Sequence, residues 1–229
     1  MQAPGGGREE GFAYGGWEMP FQADEMMDAT IAKFMSEPFE LLLGKTTYDL
    51  FASFWPTAPT EIEATVPFNK TKKYVVSHES FEPSWHNSFC ITGDVVTQIK
   101  KLKEEDGPDL WVQGSGNLIQ TLLKEHLIDR MHLSIHPLTI GTGRRLFAEG
   151  TQAEMLRLVD SKTSPTGIRA RRRACRRRGG RNCPGRGRPG RSGGRRRCNT
   201  EWPSSPRRRR CRARARARAR GARLRSALK

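Results

Sequence analysis

The chain has 229 residues and a formal net charge of +17, but this charge is unevenly distributed. Residues 169–229 contain 26 basic residues and one acidic residue, so they carry +25, whereas residues 1–168 carry −8. The composition of the larger part is that of an ordinary acidic globular protein, which excludes a basic nucleic-acid-binding domain as an interpretation of the whole chain. No apolar run approaches the roughly 20 residues that span a bilayer, and the first ten residues lack the apolar segment of a secretory signal. We therefore expect a cytoplasmic protein.

The composition changes near Gly167. Basic residues before it are mostly Lys, whereas residues 169–229 contain 25 Arg, one Lys and no Val, Ile, Phe, Tyr or Met. Such a segment cannot bury enough apolar surface to offset its conformational entropy, so we predict one domain over 1–168 and a disordered Arg-rich tail over 169–229. One interpretation is an arm that binds nucleic acid non-specifically through phosphate contacts. The other is out-of-frame GC-rich sequence, which the abrupt change from Lys to Arg favours.

The five cysteines predict free thiols rather than a disulfide scaffold. Only Cys90 lies in the larger part of the chain, and the four cysteines of the tail are widely and unevenly spaced. None of these spacings is that of a zinc site, so no metal is predicted.

Hydrophobic periodicity predicts strands that alternate with helices. Met27, Ile31 and Phe34 recur at helical spacing, whereas the apolar run 39–43 stops at Gly44, as a buried strand does. In chain order the pattern predicts a helix over 22–36, strand 39–43, helix 46–54, strands 73–77 and 88–92, a helix capped by Asp94, strand 109–113, helix 117–127, and strands 131–137 and 154–162. This alternation indicates an α/β layer fold with a largely parallel sheet.

Glycine stands at two predicted strand-to-helix junctions. The first is Gly44-Lys45-Thr46-Thr47, and the second is Gly114-Ser115-Gly116-Asn117-Leu118. Glycine lets backbone approach a ligand closely, and N–H groups at a helix start favour phosphate. Neither junction has the complete dinucleotide-binding fingerprint, so a nucleotide site and ordinary turns both remain open.

Four segments together carry a family resemblance: 41–51, 73–77, 112–123 and 128–147. In order and spacing, residues 1–168 resemble the reductase family that includes dihydrofolate reductase and the C-terminal domain of the bifunctional riboflavin-biosynthesis deaminase–reductase. The resemblance implies a three-layer αβα fold of dihydrofolate reductase type, with a mixed, mostly parallel sheet that binds NADPH. It assigns Gly44, Lys45, Thr46 and Thr47 to the turn near the cofactor phosphates, Ser77 to the surroundings of the adenosine 2′-phosphate, and Gly114, Ser115, Gly116, Asn117 and Leu118 to the pyrophosphate loop.

The sequence also departs from this family. Many relatives have Arg where Lys45 stands, and Lys lacks the bidentate fork of Arg. The family's first strand has no counterpart before residue 1, so we expect a gap in the sheet between strands 109–113 and 131–136. After Ile168 the expected apolar returning strand is replaced by the Arg-rich sequence, which should leave an edge strand unpaired. On these grounds the chain is predicted to be poorly folded or inactive.

The leading functional hypothesis is an NADPH-dependent reductase that transfers hydride to a small heterocyclic or carbonyl substrate. The substrate could be a pterin, a pyrimidine precursor of riboflavin, or neither. The deaminase signature is absent, which excludes the bifunctional riboflavin enzyme. The alternatives are a nucleic-acid-binding protein that acts through its tail and an inactive remnant. A homodimer is compatible with the resemblance, no membrane partner is expected, and the sequence identifies no general acid.

Overall fold

The computed structural model describes residues 2–6, 11–21 and 23–175, together with the backbone of residues 224–228. The predicted disorder of residues 176–223 and 229 therefore lies outside the described residues. In chain order the elements are α1 (Glu25–Met35), β1 (Phe39–Gly44), α2 (Lys45–Phe54), α3 (Thr65–Lys70), β2 (Lys73–Val76), β3 (Ser88–Ile91), α4 (Val95–Glu104), β4 (Asp109–Val112), α5 (Gly116–Lys124), β5 (Arg130–Ile135), β6 (Leu156–Thr163), β7 (Arg169–Cys175) and β8 (Leu224–Leu228). None of the described helices is long and apolar enough to cross a membrane.

The strands form a single sheet in the order β3-β2-β1-β4-β8-β5-β7-β6. All neighbouring strands from β3 to β5 are parallel, whereas β7 runs antiparallel to both β5 and β6. The predicted mixed, mostly parallel sheet is therefore confirmed.

Helices cover both faces of the sheet. Alternate residues of a strand point to opposite sides, so the apolar strand β1 has side chains to bury on each face. Leu41 and Leu43 of β1 pack with Tyr48 of α2 and Phe68 of α3, all almost completely buried. Leu42, between them, packs on the other face in a cluster that includes Ile99, Leu118, Ile119 and Leu122 of α4 and α5. Each fully buried side chain of this size contributes about 1.5–3 kcal/mol. These two apolar layers make the predicted three-layer αβα arrangement.

The boundaries of the helices follow local capping. The carboxylates of Asp24 and Asp94 accept hydrogen bonds from the N–H groups of Met27 and Thr97, so α1 and α4 begin directly after them. Helix α5 ends at Lys124 instead of residue 127, because His126 adopts φ +53° and the Leu127 N–H turns back to the Leu122 carbonyl at 2.9 Å. Helix α3 was not predicted; it has only six residues, with Pro67 among them.

The expectation of an unpaired edge strand is wrong, because residues 169–175 form β7 rather than the start of a disordered tail. β7 pairs with β6 from Arg169↔Thr163 to Cys175↔Leu156, and with β5 from Arg169↔Ile135 to Ala174↔Arg130. A turn joins β6 to β7, in which the Ser164 N–H donates to the Ile168 carbonyl at 2.9 Å and Gly167 adopts φ +86°. Backbone ladders do not need apolar side chains, and the stems of long Arg side chains can cover apolar surface. The disorder predicted from composition is therefore wrong for residues 169–175.

The expected gap between β4 and β5 is occupied, so that expectation is also wrong. Residues 224–228 form β8, which runs parallel to both neighbours, with Trp111↔Arg225 on one side and Met131↔Ser226 on the other. Buried backbone N–H and C=O groups require partners, and β8 supplies them to both inner strands. This strand comes from the segment that was predicted to be disordered.

Candidate active site

The two glycine turns meet at the carboxyl ends of the neighbouring parallel strands β1 and β4. A Cβ atom added to Gly44 would lie 2.6 Å from the Ser115 Oγ, and one added to Gly114 would lie 3.0 Å from the Thr47 Oγ1. Gly114 also adopts φ +153°, and its peptide bond to Ser115 is cis. The positive φ favours glycine at position 114, and the short contacts show that the two turns pack directly against each other.

Each turn leads into a helix. α2 begins at Lys45, and Gly44 before it provides no side-chain cap. α5 begins at Gly116 and is capped by Ser115, whose hydroxyl accepts from the Leu118 N–H at 3.4 Å. The first N–H groups of a helix have no partner within the helix and carry its positive dipole end, so both starts suit an anion.

A cavity of about 1320 Å³ lies beside these turns. Five of the residues predicted from the sequence line it: Thr46, Thr47, Gly114, Ser115 and Gly116. The other five, Gly44, Lys45, Ser77, Asn117 and Leu118, are not among its lining residues. A site for one ligand typically measures about 300–1,000 Å³, so this cavity has room for more than one.

Lys45 and Ser77 follow the adjacent strands β1 and β2, whose last residues pair as Gly44↔Val76. The Lys45 ammonium donates to both carboxylate oxygens of Asp49 at 2.7 Å and lies 4.6 Å from the centroid of the Phe81 ring. The Ser77 hydroxyl accepts from the Glu79 N–H at 3.3 Å. Both side chains are thus engaged locally and stand beside the cavity instead of in its wall.

Leu118 has a structural role in addition to its predicted place in the loop. Its side chain is almost completely buried in the core cluster under α5. Only its backbone N–H takes part in the turn, through the hydrogen bond to Ser115.

Sequence reasoning missed two walls of the cavity. One is apolar and is formed by Leu50, Phe51, Phe54, Trp55 and Ile62. The other is rich in ionisable groups and is formed by residues of β6 and β7, among them Asp160, Lys162 and Arg172. The spacing of Leu50 and Phe54, four residues apart on α2, is a signal that could have indicated the first wall. No comparable signal indicated the second, because it depends on the pairing of β7.

Asp24 fixes the start of α1, which forms another side of the cavity. Its carboxylate is buried and accepts from the Met27 N–H at 3.0 Å and from the Thr166 hydroxyl. Burial raises the pKa of Asp24, but hydrogen bonds from Thr166, Ser164 and Met27 together hold it below its usual value. The group is therefore ionised and anchors α1 to the β6–β7 turn. Across the described residues, no group of three or more His, Cys, Asp or Glu side chains is arranged for a metal ion.

Residues 13–170 match the family model of the RibD C-terminal domain. The chain belongs to this family. It is similar to two uncharacterized proteins of Bacillus subtilis. YyaP is 30% identical over 144 residues, which are 62% of this chain and 76% of YyaP. YwjB is 27% identical over 123 residues, which are 53% of this chain and 66% of YwjB.

A solved structure also resembles this fold. The crystal structure of a Shewanella sp. PV-4 protein, provisionally assigned to riboflavin biosynthesis, has a TM-score of 0.53 and 23% identity, and covers 69% of this chain and 83% of that chain. At this identity the likeness shows the fold alone. Membership in the RibD C-terminal domain family supports a reductase-type function with a nicotinamide cofactor.

Proposed function

We propose that the protein is an NADPH-dependent reductase that transfers hydride to a small heterocyclic or carbonyl substrate. The observation that carries this proposal is the convergence of two glycine turns and two helix starts beside one large cavity. Two neighbouring turns of this kind can hold the two phosphates of a dinucleotide, and the remaining space can hold a second molecule.

The residues at the turns fit the phosphates of such a cofactor. Side chains at Gly44 and Gly114 would collide with Ser115 and Thr47 of the opposite turn, so these two glycines keep the turns together. A Cβ atom on Gly116, in contrast, meets nothing within 4 Å, so backbone is open to the cavity there. The bound cofactor would supply the hydride.

The chain's own groups would bind and orient it. In our proposal the N–H groups that begin α2 and α5 bind the diphosphate. The hydroxyls of Thr46 and Thr47, which line the cavity, donate further hydrogen bonds. Lys45 and Ser77, beside each other after β1 and β2, are assigned to the adenosine 2′-phosphate and would provide the preference for NADPH over NADH.

The substitution Gly116→Ala tests this proposal. The added methyl group meets no atom of the protein, and Ala is a better helix former than Gly by about 1 kcal/mol, so stability should not fall. We expect NADPH binding, measured by fluorescence titration, to weaken by about tenfold because the methyl group occupies the space of the phosphate.

The matched control is Gly107→Ala. Gly107 is exposed, lies outside the cavity, and also has nothing within 4 Å of an added Cβ atom. It should bind NADPH as the wild type does. If Gly116→Ala also binds NADPH with wild-type affinity, the turn at α5 does not hold the cofactor and the proposal fails.

A further inference from the structure

The apolar wall of the cavity exposes large side chains to solvent. Leu50, Phe54 and Ile62 are 55%, 49% and 38% exposed, and all three line the cavity. Single exposed apolar residues are common on protein surfaces, but a cluster of them in a concavity marks a surface for ligands or partners. Water in contact with this wall would be released by an apolar ligand, which favours binding.

A layer of rings supports this wall from behind. Phe51 stacks on Phe68 with centroids 6.0 Å apart, and Trp55 meets Phe68 edge-on at 4.8 Å. Phe54 in turn meets Trp55 edge-on at 5.0 Å. Such ring pairs favour defined geometries, so the wall is formed before any ligand arrives.

The ionisable wall lies at the other end of the cavity. Arg172 pairs with His132 of β5 and Asp160 of β6, so these three residues share one face of the sheet. The sheet order places this group three to five strands away from β1, which leads into α2 and its apolar wall. The two ends of the cavity therefore differ in chemistry, and polar parts of a ligand have a separate place to bind.

We propose that Leu50, Phe54 and Ile62 form a substrate subsite for an uncharged, apolar ring substituent. This inference rests on the proposed reductase function and adds the class of its substrate. A sugar phosphate bound there would leave the three apolar side chains in contact with water. It would also lose its own hydration without gaining hydrogen bonds. An aromatic or alicyclic ring covers them and contacts the ring layer behind.

Binding of the fluorescent probe 8-anilino-1-naphthalenesulfonate to the NADPH-saturated protein tests the subsite. The variants Leu50→Ser and Phe54→Ser change half-exposed positions, so both should still unfold cooperatively, with Phe54→Ser melting at a slightly lower temperature because it loses the ring contact with Trp55. We expect each substitution to lower the affinity for the probe by about tenfold, because one large apolar contact is lost. The affinity for NADPH should be unchanged. The matched control is Val66→Ser, because Val66 is 56% exposed on α3 but does not line the cavity.

Four results would overturn the subsite. The probe affinity could be unchanged in both variants, or it could fall equally in Val66→Ser. The variants could lower the affinity for NADPH as strongly as the affinity for the probe, which would mean that the wall contacts the cofactor. Sedimentation could also reveal a wild-type dimer that Phe54→Ser dissociates, which would mean that a second copy of the chain covers the wall. If wild-type protein binds the probe but not NADPH, the proposed function fails. The subsite is then tested by measuring probe binding to the same variants without cofactor.

Discussion

The two halves of the sheet are stabilised in different ways. In the apolar half, β3-β2-β1-β4, side chains such as Leu41, Leu43 and Val75 are completely buried. In the basic half, β8-β5-β7-β6, Leu158 and Val159 are 50% and 41% exposed, and β7 is mostly Arg and Ala. Pairing in the basic half is nevertheless longer, with seven pairs between β6 and β7 against four between β1 and β2. Backbone hydrogen bonds and turns can therefore add strands such as β6 and β7, whose side chains contribute little to the core, whereas β5 still contributes the fully buried Met131.

The largest expected effect comes from deletion of residues 224–229, which removes β8 from between the two halves. Strands β4 and β5 would then lose their partners along Leu110–Val112 and Arg130–Leu133. Each buried polar group left unpaired costs about 1–3 kcal/mol, and a whole domain has only about 5–15 kcal/mol. We expect the deletion to abolish cooperative thermal unfolding, as followed by circular dichroism.

Deletion of Lys229 alone is the control for this experiment and should leave the melting curve unchanged. Addition of a peptide with the sequence of residues 222–229 should restore part of the transition. An unchanged melting curve after the longer deletion would show that the two halves do not depend on β8, which would break the comparison.

The apolar half could be predicted from the sequence because its signals are local. The apolar run 39–43, the stop at Gly44 and the turn at Gly114–Gly116 each lie within one element and its boundary, and the structure has them there. The two turns lie at the same edge of the sheet because β1 and β4 are parallel neighbours. Five of the ten predicted residues accordingly line the cavity.

The basic half could not be predicted, because its strands are specified by partners far away in the chain. Nothing within residues 169–175 indicates a strand, and residues 224–228 are separated from β4 by more than one hundred residues. The apolar wall was missed for another reason. The sequence predicts a helix over 46–54 but does not indicate which of its apolar residues pack in the core. Only Tyr48 of α2 is buried, whereas Leu50 and Phe54 line the cavity.

A smaller effect is expected for Lys73→Met in the apolar half. Lys73 is buried, and its ammonium donates to the carbonyls of Asn69, Thr71 and His86 at 3.0, 2.9 and 2.8 Å. Loss of these donors should lower the free energy of unfolding in urea by about 3 kcal/mol at pH 7. The control Lys72→Met removes an exposed neighbour whose ion pair with Glu40 is 3.6 Å long, so it should cost less than about 1 kcal/mol.

The difference in stability between the wild type and Lys73→Met should also depend on pH, and its sign can be derived. Burial lowers the pKa of Lys73 from 10.5 to about 8. Between these values the unfolded chain retains a proton that the folded chain has released, so the free energy of unfolding rises with pH across this window. The advantage of the wild type over Lys73→Met should therefore grow from pH 8 to pH 10.5. A constant difference would mean that the three carbonyls keep the ammonium protonated.

The smallest effect is expected at Lys45, where the apolar half meets the proposed cofactor. A charge-assisted hydrogen bond to a phosphate is worth about 1.5–3 kcal/mol, but Asp49 already accepts from this ammonium and must be released first. Lys45→Ala should therefore lower the affinity for NADPH by only about fivefold and change the affinity for NADH by less than about twofold, as measured by parallel fluorescence titrations.

Asp49→Asn makes this prediction specific, because it acts on the same charge with the opposite sign. Removal of the carboxylate frees the Lys45 ammonium and also removes a negative charge that repels phosphate, so NADPH should bind more tightly. Since NADH lacks the 2′-phosphate, its affinity should change little in both variants. Equal changes for the two cofactors would remove Lys45 from the 2′-phosphate site. Because the ion pair is exposed, both effects should also shrink as salt is added, whereas a loss caused by distorted packing at α2 would persist at high ionic strength.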